Sequence, residues 1–384
     1  MHLLSDNLYV TAVLLLLVVI AEWLGQRKYF HYLGSTLIVI IAAAILANAH
    51  LLPSSQDASP VYESIFSYAA PLGIFFLILD VRLKDLRAAG LPMIVMFLAG
   101  AAFSVAGVLI SFYIIQPRFH GVRNAFAVAG MYTGTYIGGS ANLNAVALQY
   151  GVNKDGTLFT AINAADNIIT AVWMILTIFV PPLLQRLFPR KQAFIADTSS
   201  KSNNLNTDTV KEEMSILSIG IMLFLGIASL FLSQIITHLF PKIPSILTLT
   251  TLALIFAQIP FVQKLKGSKI FGYFLVLLFL AVVGAYCDIH ALISNGNIAL
   301  TLLIWVTAIV FIHGILLFLL GAIFKQDWYI ISIASNANIG GATTAAALAT
   351  SLGRKDLRLP GILVGSLGTA IGTYIGILVA EFLR

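Results

Sequence analysis

Apolar stretches long enough to cross a bilayer follow one another along this chain, and no soluble core could absorb them all. A helix needs about 20 predominantly apolar residues to traverse hydrocarbon. Candidates lie near 8–25, 33–52, 63–81, 91–115, 124–150, 157–186, 215–238, 243–260, 270–287, 297–323, 328–351 and 358–382. Only 10% of the residues are charged against 59% hydrophobic, too little polar surface to cover a globule of 384 residues. The expectation is an all-α polytopic protein of the cell membrane, in contact with lipid. The first run, Val10 to Ile20, has no Lys or Arg before it and no small-residue cleavage site after it, so it reads as a membrane helix.

The net charge of +6 comes largely from Lys and Arg between the apolar runs, as in Arg27-Lys28, Arg82-Lys84-Arg87 and Lys264-Lys266-Lys269. Cytoplasmic loops concentrate such residues, so the excess is a topology signal and not a nucleic-acid patch. The single Cys287 excludes an internal disulfide, and no His/Cys cluster has zinc or iron-sulfur spacing. There is no GxxxxGK[ST] loop, HExxH helix or GxSxG elbow, which disfavours ATP-driven transport and common hydrolase chemistry. The chain reads as a non-enzyme without an organic cofactor.

One long polar stretch, "PRKQAFIADTSSKSNNLNTDTVKEE", divides the chain into a first membrane unit at 1–188, a linker at 189–214 and a second unit at 215–384. The units look related. "STLIVIIAAAILAN" from Ser35 aligns with "SILTLTTLALIFAQ" from Ser245, and a shift of 202 residues lays "IGGSANLNAVALQYG" over "IGGATTAAALATSLG". Loop charge makes the 33–52 and 243–260 segments run in opposite directions, although six passes between them would make them parallel. The expectation is therefore two related, inverted repeats with about 11–13 passes, one segment in or near 157–240 being a re-entrant element or a concealed extra pass.

Each repeat carries a Gly-Gly pair among short polar side chains. In hydrocarbon an unsatisfied backbone amide costs several kcal/mol, so a helix break persists only where it lines a cavity or is buried in protein. Gly138-Gly139 and Gly340-Gly341 are the expected breaks. Around them stand Thr133, Thr135, Ser140, Asn142 and Asn144, and then Ser335, Asn336, Asn338, Thr343 and Thr344. Their oxygens could coordinate a small cation while half-helix N-termini attract an anionic group. The competing reading is that small residues simply permit close helix packing.

Asp166, in "TLFTAINAADNIITAVW", lies well inside an apolar segment, where an acid costs at least about 2.5 kcal/mol unless it faces a partner or water. Thr160, Asn163, Asn167 and Thr170 recur at helical spacing and share its polar stripe. Such a carboxylate can bind Na+ when ionised or carry a proton when neutral. Asp80, Arg82, Lys84, Asp85, Arg87 and Asp288 read as interfacial charges, and Glu22 is close enough to a helix end to reach the interface. His313 reads as an interior donor satisfied by its neighbours, and Pro71 as a kink.

Over nearly its whole length the sequence resembles the YjcL-like membrane family, domain of unknown function 819. The resemblance rests on "LANAHLLP", "YAAPLGIFFLILDVRLKDL", "GGSANLNAVA", "AINAADNII", "LLFLAVVGAYCDI" and "SNANIGGATTAAALA". More distantly, such families are similar in plan to the bile acid:sodium symporters and cation/proton antiporters. That likeness implies a panel domain, a core domain, two broken crossing helices and elevator-like alternating access. It would place Asp166-Asn167 where antiporters carry their ion-binding carboxylate pair. The second glycine segment has no Glu, and no Lys faces Asp166 from an obvious partner helix, which departs from both plans.

These features lead to the expectation of a secondary active transporter, coupled to Na+ or H+, that moves a small organic solute, an anion among the candidates, or exchanges cations, with a homodimer among the candidate assemblies. The alternatives are a non-transporting scaffold or sensor, and an ion channel.

Overall fold

The computed structural model describes residues 6–27, 34–54, 59–190, 215–241, 243–287 and 296–384. Asp288 and most of the polar linker lie outside them.

Eight helices are long and apolar enough to cross a membrane. They are α1 (Asn7–Gly25), α3 (Pro60–Ile78), α4 (Leu91–Ile115), α7 (Gly156–Leu187), α8 (Ile216–Leu239), α10 (Ser268–Ala285), α11 (Gly296–Ile323) and α14 (Arg358–Leu383). Two shorter apolar helices, α2 (Gly34–Asn48) and α9 (Ser245–Ala257), accompany them. The protein is a polytopic α-helical membrane protein. Just before Pro71 the chain passes through a π-helical stretch at Ile65–Ala69, a wider turn that relieves the ring's clash with the preceding carbonyls.

The direction of each helix follows from contacts between chain ends. The Tyr9 hydroxyl donates to Leu51 O at 3.1 Å and Asn48 Nδ2 to Cys287 O at 2.8 Å, so α1 begins where α2 and α10 end. At the other end Gln258 Nε2 donates to Val81 O at 3.1 Å, and Leu83 N donates to Gln258 Oε1 at 3.0 Å. Thus α9 ends beside the end of α3, and α2 and α9 run in opposite directions. Arg27, Arg82, Arg87, Lys264, Arg190, Lys325 and Arg354 gather at this second end, called here the basic end. At the opposite end stand Arg118, Arg123, Lys154 and Arg384.

The segments 124–150 and 328–351, each read from the sequence as one broken helix crossing the membrane, instead fold back on themselves. Helix α5 (Ala125–Gly138) stops at Gly139 (φ 88°, ψ 177°), and α6 (Ser140–Tyr150) returns beside it. A Cβ at Gly134 would lie 3.2 Å from Asn142 Cβ, and one at Gly130 would lie 3.3 Å from Val146. A straight continuation would put residues 130 and 146 about 24 Å apart. In the second segment α12 (Trp328–Ile339) and α13 (Gly341–Ser351) do the same, with Thr344 Oγ1 reaching Asn336 O at 3.2 Å. Hairpin 1 enters from the cation-poor end and hairpin 2 from the basic end. Their tips meet: the nearest atom to a Cβ on Gly341 is Gly139 Cα, at 3.9 Å. The expected count of 11–13 passes is corrected accordingly, because these two segments do not traverse. The re-entrant elements also lie outside the 157–240 region where the loop-charge conflict seemed to place one. Length and hydropathy do not distinguish a crossing helix from two half-helices in hairpin.

The helices sort into two bodies. Helices α1–α3 and α8–α10 pack among themselves, as do α4–α7 and α11–α14, and the contacts between the groups are sparser. Within the second body α5 and α14 share a seam of glycines at four-residue spacing. Gly130 meets Gly376 O, Gly134 O lies 2.9 Å from a Cβ on Gly372, and Gly138 meets the Gly368 backbone. Lipid offers no hydrophobic drive between helices, so such close backbone approach supplies the dispersion contacts instead.

An ionic clasp closes the foot of hairpin 2. Arg354 is buried there, 2.9 Å from Asp327 and 2.7 Å from Asp356, with Tyr329 beneath its guanidinium at 5.4 Å. Burial works against the charge, but the two carboxylates outweigh it and raise the Arg354 pKa. Asp327 also caps α12 by accepting from Tyr329 N at 2.9 Å. Arg354→Ala leaves Asp327 buried without its cation, which should cost about 3–5 kcal/mol and lower the melting temperature of the purified protein.

Candidate functional site

A cavity of about 400 Å³ lies over the two hairpin tips, between the bodies. Its floor is Gly138, Gly139, Ser140, Gly340, Gly341 and Thr343; Ser366 and Thr369 of α14 form one side and Leu77, Ile270 and Tyr273 of the first body the other. Asp80 and Lys269 stand at its rim, which places the opening at the basic end. Two half-helices end here and two begin. The N-termini of α6 and α13 carry no side-chain cap, so both present backbone N–H groups and the positive end of a helix dipole.

Of the residues singled out from the sequence, Ser140 and Thr343 are exposed and line this cavity together with the four glycines, of which Gly138 and Gly341 are buried. Others hold the hairpins in place. Asn142 Oδ1 accepts from Thr373 Oγ1 at 2.7 Å, binding hairpin 1 to α14. Asn336 Nδ2 donates to Thr177 Oγ1, and Asn338 Nδ2 reaches Phe97 O at 3.1 Å, binding hairpin 2 to α7 and α4. Thr133 returns its hydroxyl to Ala129 O at 2.8 Å, and Thr344 braces the tip of hairpin 2. Ser335 accepts from Trp173 Nε1 at 3.0 Å and lies 2.9 Å from His313 Nε2.

Asp166 stands behind hairpin 1 and is not part of the cavity wall. It is buried in α7, with Tyr136 presenting its phenol to the carboxylate and Tyr132 one turn away. Asp166 Oδ1 and both tyrosine hydroxyls have no hydrogen-bond partner among the described residues. Asn144 Oδ1, Thr160 Oγ1, Asn336 Oδ1 and Asn338 Oδ1 are also unpartnered. Buried polar oxygens are normally satisfied, so these unpartnered atoms mark polar positions inside the bundle. Asn163 and Asn167 turn their amides onto their own helix, donating to Phe159 O at 3.0 Å and Asn163 O at 2.8 Å. No group of three or more His, Cys, Asp or Glu that could hold a metal occurs among the described residues.

Several contributors escaped the sequence reading. Tyr132 and Tyr136 look like ordinary aromatic packing until the fold turns them to Asp166. Ser104 lies 3.0 Å from His313 Nδ1 and donates to Tyr136 O at 2.7 Å, so His313 is indeed satisfied, and it links α4, α11 and α12 just behind the tips. The glycine seam was signalled by the four-residue spacing in "GMYTGTYIG" and "GTAIGTYIG".

The sequence profile of the family described as "Protein of unknown function (DUF819)" matches residues 8–384. The chain belongs to this family. It is 28% identical over 371 residues to "Uncharacterized membrane protein YjcL" of Bacillus subtilis (strain 168), an alignment covering 92% of this chain and 91% of that protein. Nearly the whole DUF819 span therefore lies in the two bodies and two hairpins described above.

Proposed function

We propose that this DUF819 protein is a secondary active transporter that moves a small, anionic solute by alternating access, coupled to Na+ or H+ through Asp166. The observation that carries the reading is the cavity over two oppositely inserted hairpin tips at the boundary of two loosely joined bodies. Its volume of about 400 Å³ suits a small molecule. Two uncapped helix N-termini at its floor favour an anionic group. By the positive-inside rule the basic end is cytoplasmic, so the cavity opens inward.

Beyond the tips, toward the opposite end, stand buried aromatic side chains: Tyr136 stacks on Tyr132 at 6.0 Å, and Tyr132 meets Trp305 edge to face at 5.5 Å. A cavity open at one end supports alternating access over a channel. The opposite directions of α2 and α9, and of the two hairpins, support an inverted-repeat relation between the halves. Such a relation supplies two pseudo-equivalent states, one facing each way. The separate bodies agree with the panel-and-core plan of the bile acid:sodium symporters and cation/proton antiporters; the hairpins depart from its crossing helices.

The test is thermal stability in detergent, titrated with Na+ against choline at constant ionic strength and at two pH values, for the wild type and Asp166→Asn. A ligand at 100 times its Kd stabilises by about 2.7 kcal/mol. A sodium- or pH-dependent rise in melting temperature that disappears in Asp166→Asn supports coupling at Asp166. A well-folded wild type that responds to neither removes the coupled-transport reading.

A further inference from the structure

Arg118 and Arg123 violate the charge pattern of the bundle, and the fold brings them to one place. Both line a second cavity, of about 590 Å³, at the cation-poor end. It lies between the two feet of hairpin 1 and the start of α11, where Asp155, Thr157 and Ile298 complete its wall. Both arginines are exposed, and neither forms an ion pair among the described residues. Lys154 sits in the turn at the returning foot of the same hairpin. Arg384, the other described cation of this end, lies 3.5 Å from Glu381. Among the described residues, the positive charge of this face that has no ion pair is thus gathered around hairpin 1.

Topology gives no reason for cations here, since the rule that concentrates Lys and Arg acts on the other face. The single acid among the cavity's described lining, Asp155, accepts at Oδ1 from Leu158 N at 3.0 Å to cap α7, and its one charge leaves the two arginines in excess. Arg118 is steadied by the Phe112 ring, 5.9 Å from its guanidinium carbon. Two guanidiniums on one concave wall match the planar, two-oxygen face of a carboxylate or phosphate. Their field also raises the local concentration of anions at the mouth.

We propose that this cavity is an anion-binding vestibule on the outer face, taking small carboxylate- or phosphate-bearing molecules at the foot of hairpin 1. Its role as the outer waiting position of the solute rests on the transporter reading above; anion binding itself does not. A phospholipid headgroup offers the same chemistry and is the alternative source.

Site-directed labelling tests the proposal without a transport assay. Cys287 is 2% exposed and contributes little background. Thr157→Cys places a thiol in the cavity wall, to be labelled with an uncharged polyethylene-glycol maleimide in phosphatidylcholine nanodiscs. Citrate and inorganic phosphate are compared with chloride at equal ionic strength. Protection should slow labelling about threefold when the free anion is at about twice its Kd. The same protection should be lost when Arg118→Gln and Arg123→Gln are added. If labelling instead slows with the phosphatidylglycerol content of the disc, in the same arginine-dependent way, the occupant is a lipid headgroup. No protection by any of the three, protection that survives loss of both arginines, or a thiol that does not react at all would overturn the vestibule. Intact protection in a protein that shows no coupled transport would retain the vestibule and remove the transporter reading.

Discussion

Asp166→Asn is expected to reduce coupled solute flux in proteoliposomes by about 100-fold or more, while the purified protein folds as well as the wild type. A loss of about 2.7 kcal/mol in coupling-ion affinity is about 100-fold in Kd, which appears in full in the flux when the ion is below its Kd. The two halves of the expectation rest on one observation: Asp166 Oδ1 is buried yet has no hydrogen-bond partner, so the carboxylate is not anchoring a neighbouring helix through it. Replacing it with an amide of the same shape removes the charge and keeps an oxygen for the Tyr136 phenol. A carboxylate kept for stability behaves differently, because removing one partner of a buried polar pair leaves the other unsatisfied and costs about 1–3 kcal/mol. Flux that survives in Asp166→Asn, or a protein that melts far below the wild type, would assign Asp166 to structure.

Gly138→Ala is expected to destabilise the protein by about 3 kcal/mol or more, the upper range for overpacking. The added methyl would overlap the backbone of Gly368, and a carbonyl in a packed helix cannot swing aside as a side chain can. Hairpin 1 would be pushed off α14, and the Asn142–Thr373 hydrogen bond beside the seam would stretch with it. Gly220→Ala is the control, since α8 leaves open space around that position and no loss is expected there. The readouts are melting temperature and, through the displaced tip, loss of transport. A Gly138→Ala protein as stable as the Gly220→Ala control would contradict the tip packing described for hairpin 1.

The glycine segments show where sequence reasoning succeeded and where it stopped. Gly138-Gly139 and Gly340-Gly341 attracted attention because small and polar residues interrupt apolar runs, and both pairs line the cavity over the tips. The sequence could not say whether the chain continues through the membrane after Gly139 or turns back. A crossing helix and a hairpin have the same length and composition on paper, and the loop-charge conflict signalled a miscounted pass without locating it here. The difference is made by the approach of Gly134 to Asn142 and of Gly130 to Val146, contacts within one segment that no periodicity announces.

The polar residues near the tips divide for a similar reason. Asn142, Asn336, Ser335 and Thr344 have the same chemistry as Ser140 and Thr343, and helix rotation alone decides which group faces the cavity. The first group spends its hydrogen bonds on Thr373, Thr177, Trp173 and the hairpin backbone. Tyr132 and Tyr136 reach Asp166 only because α5 and α7 bring distant stretches of chain together.

By itself the sequence determined that this protein lives in a bilayer, because its apolar segments leave no other place to bury their surface. It also determined that Asp166 and the two glycine pairs are exceptional, because polar and helix-breaking groups are costly in hydrocarbon. Only the tertiary structure decided that the glycine segments are opposed hairpins, that Asp166 stands behind one of them, and that Arg118 and Arg123 share a cavity. Those facts depend on the tilt, rotation and direction of helices, which are set by contacts between residues far apart in the chain and not by the composition of any one segment.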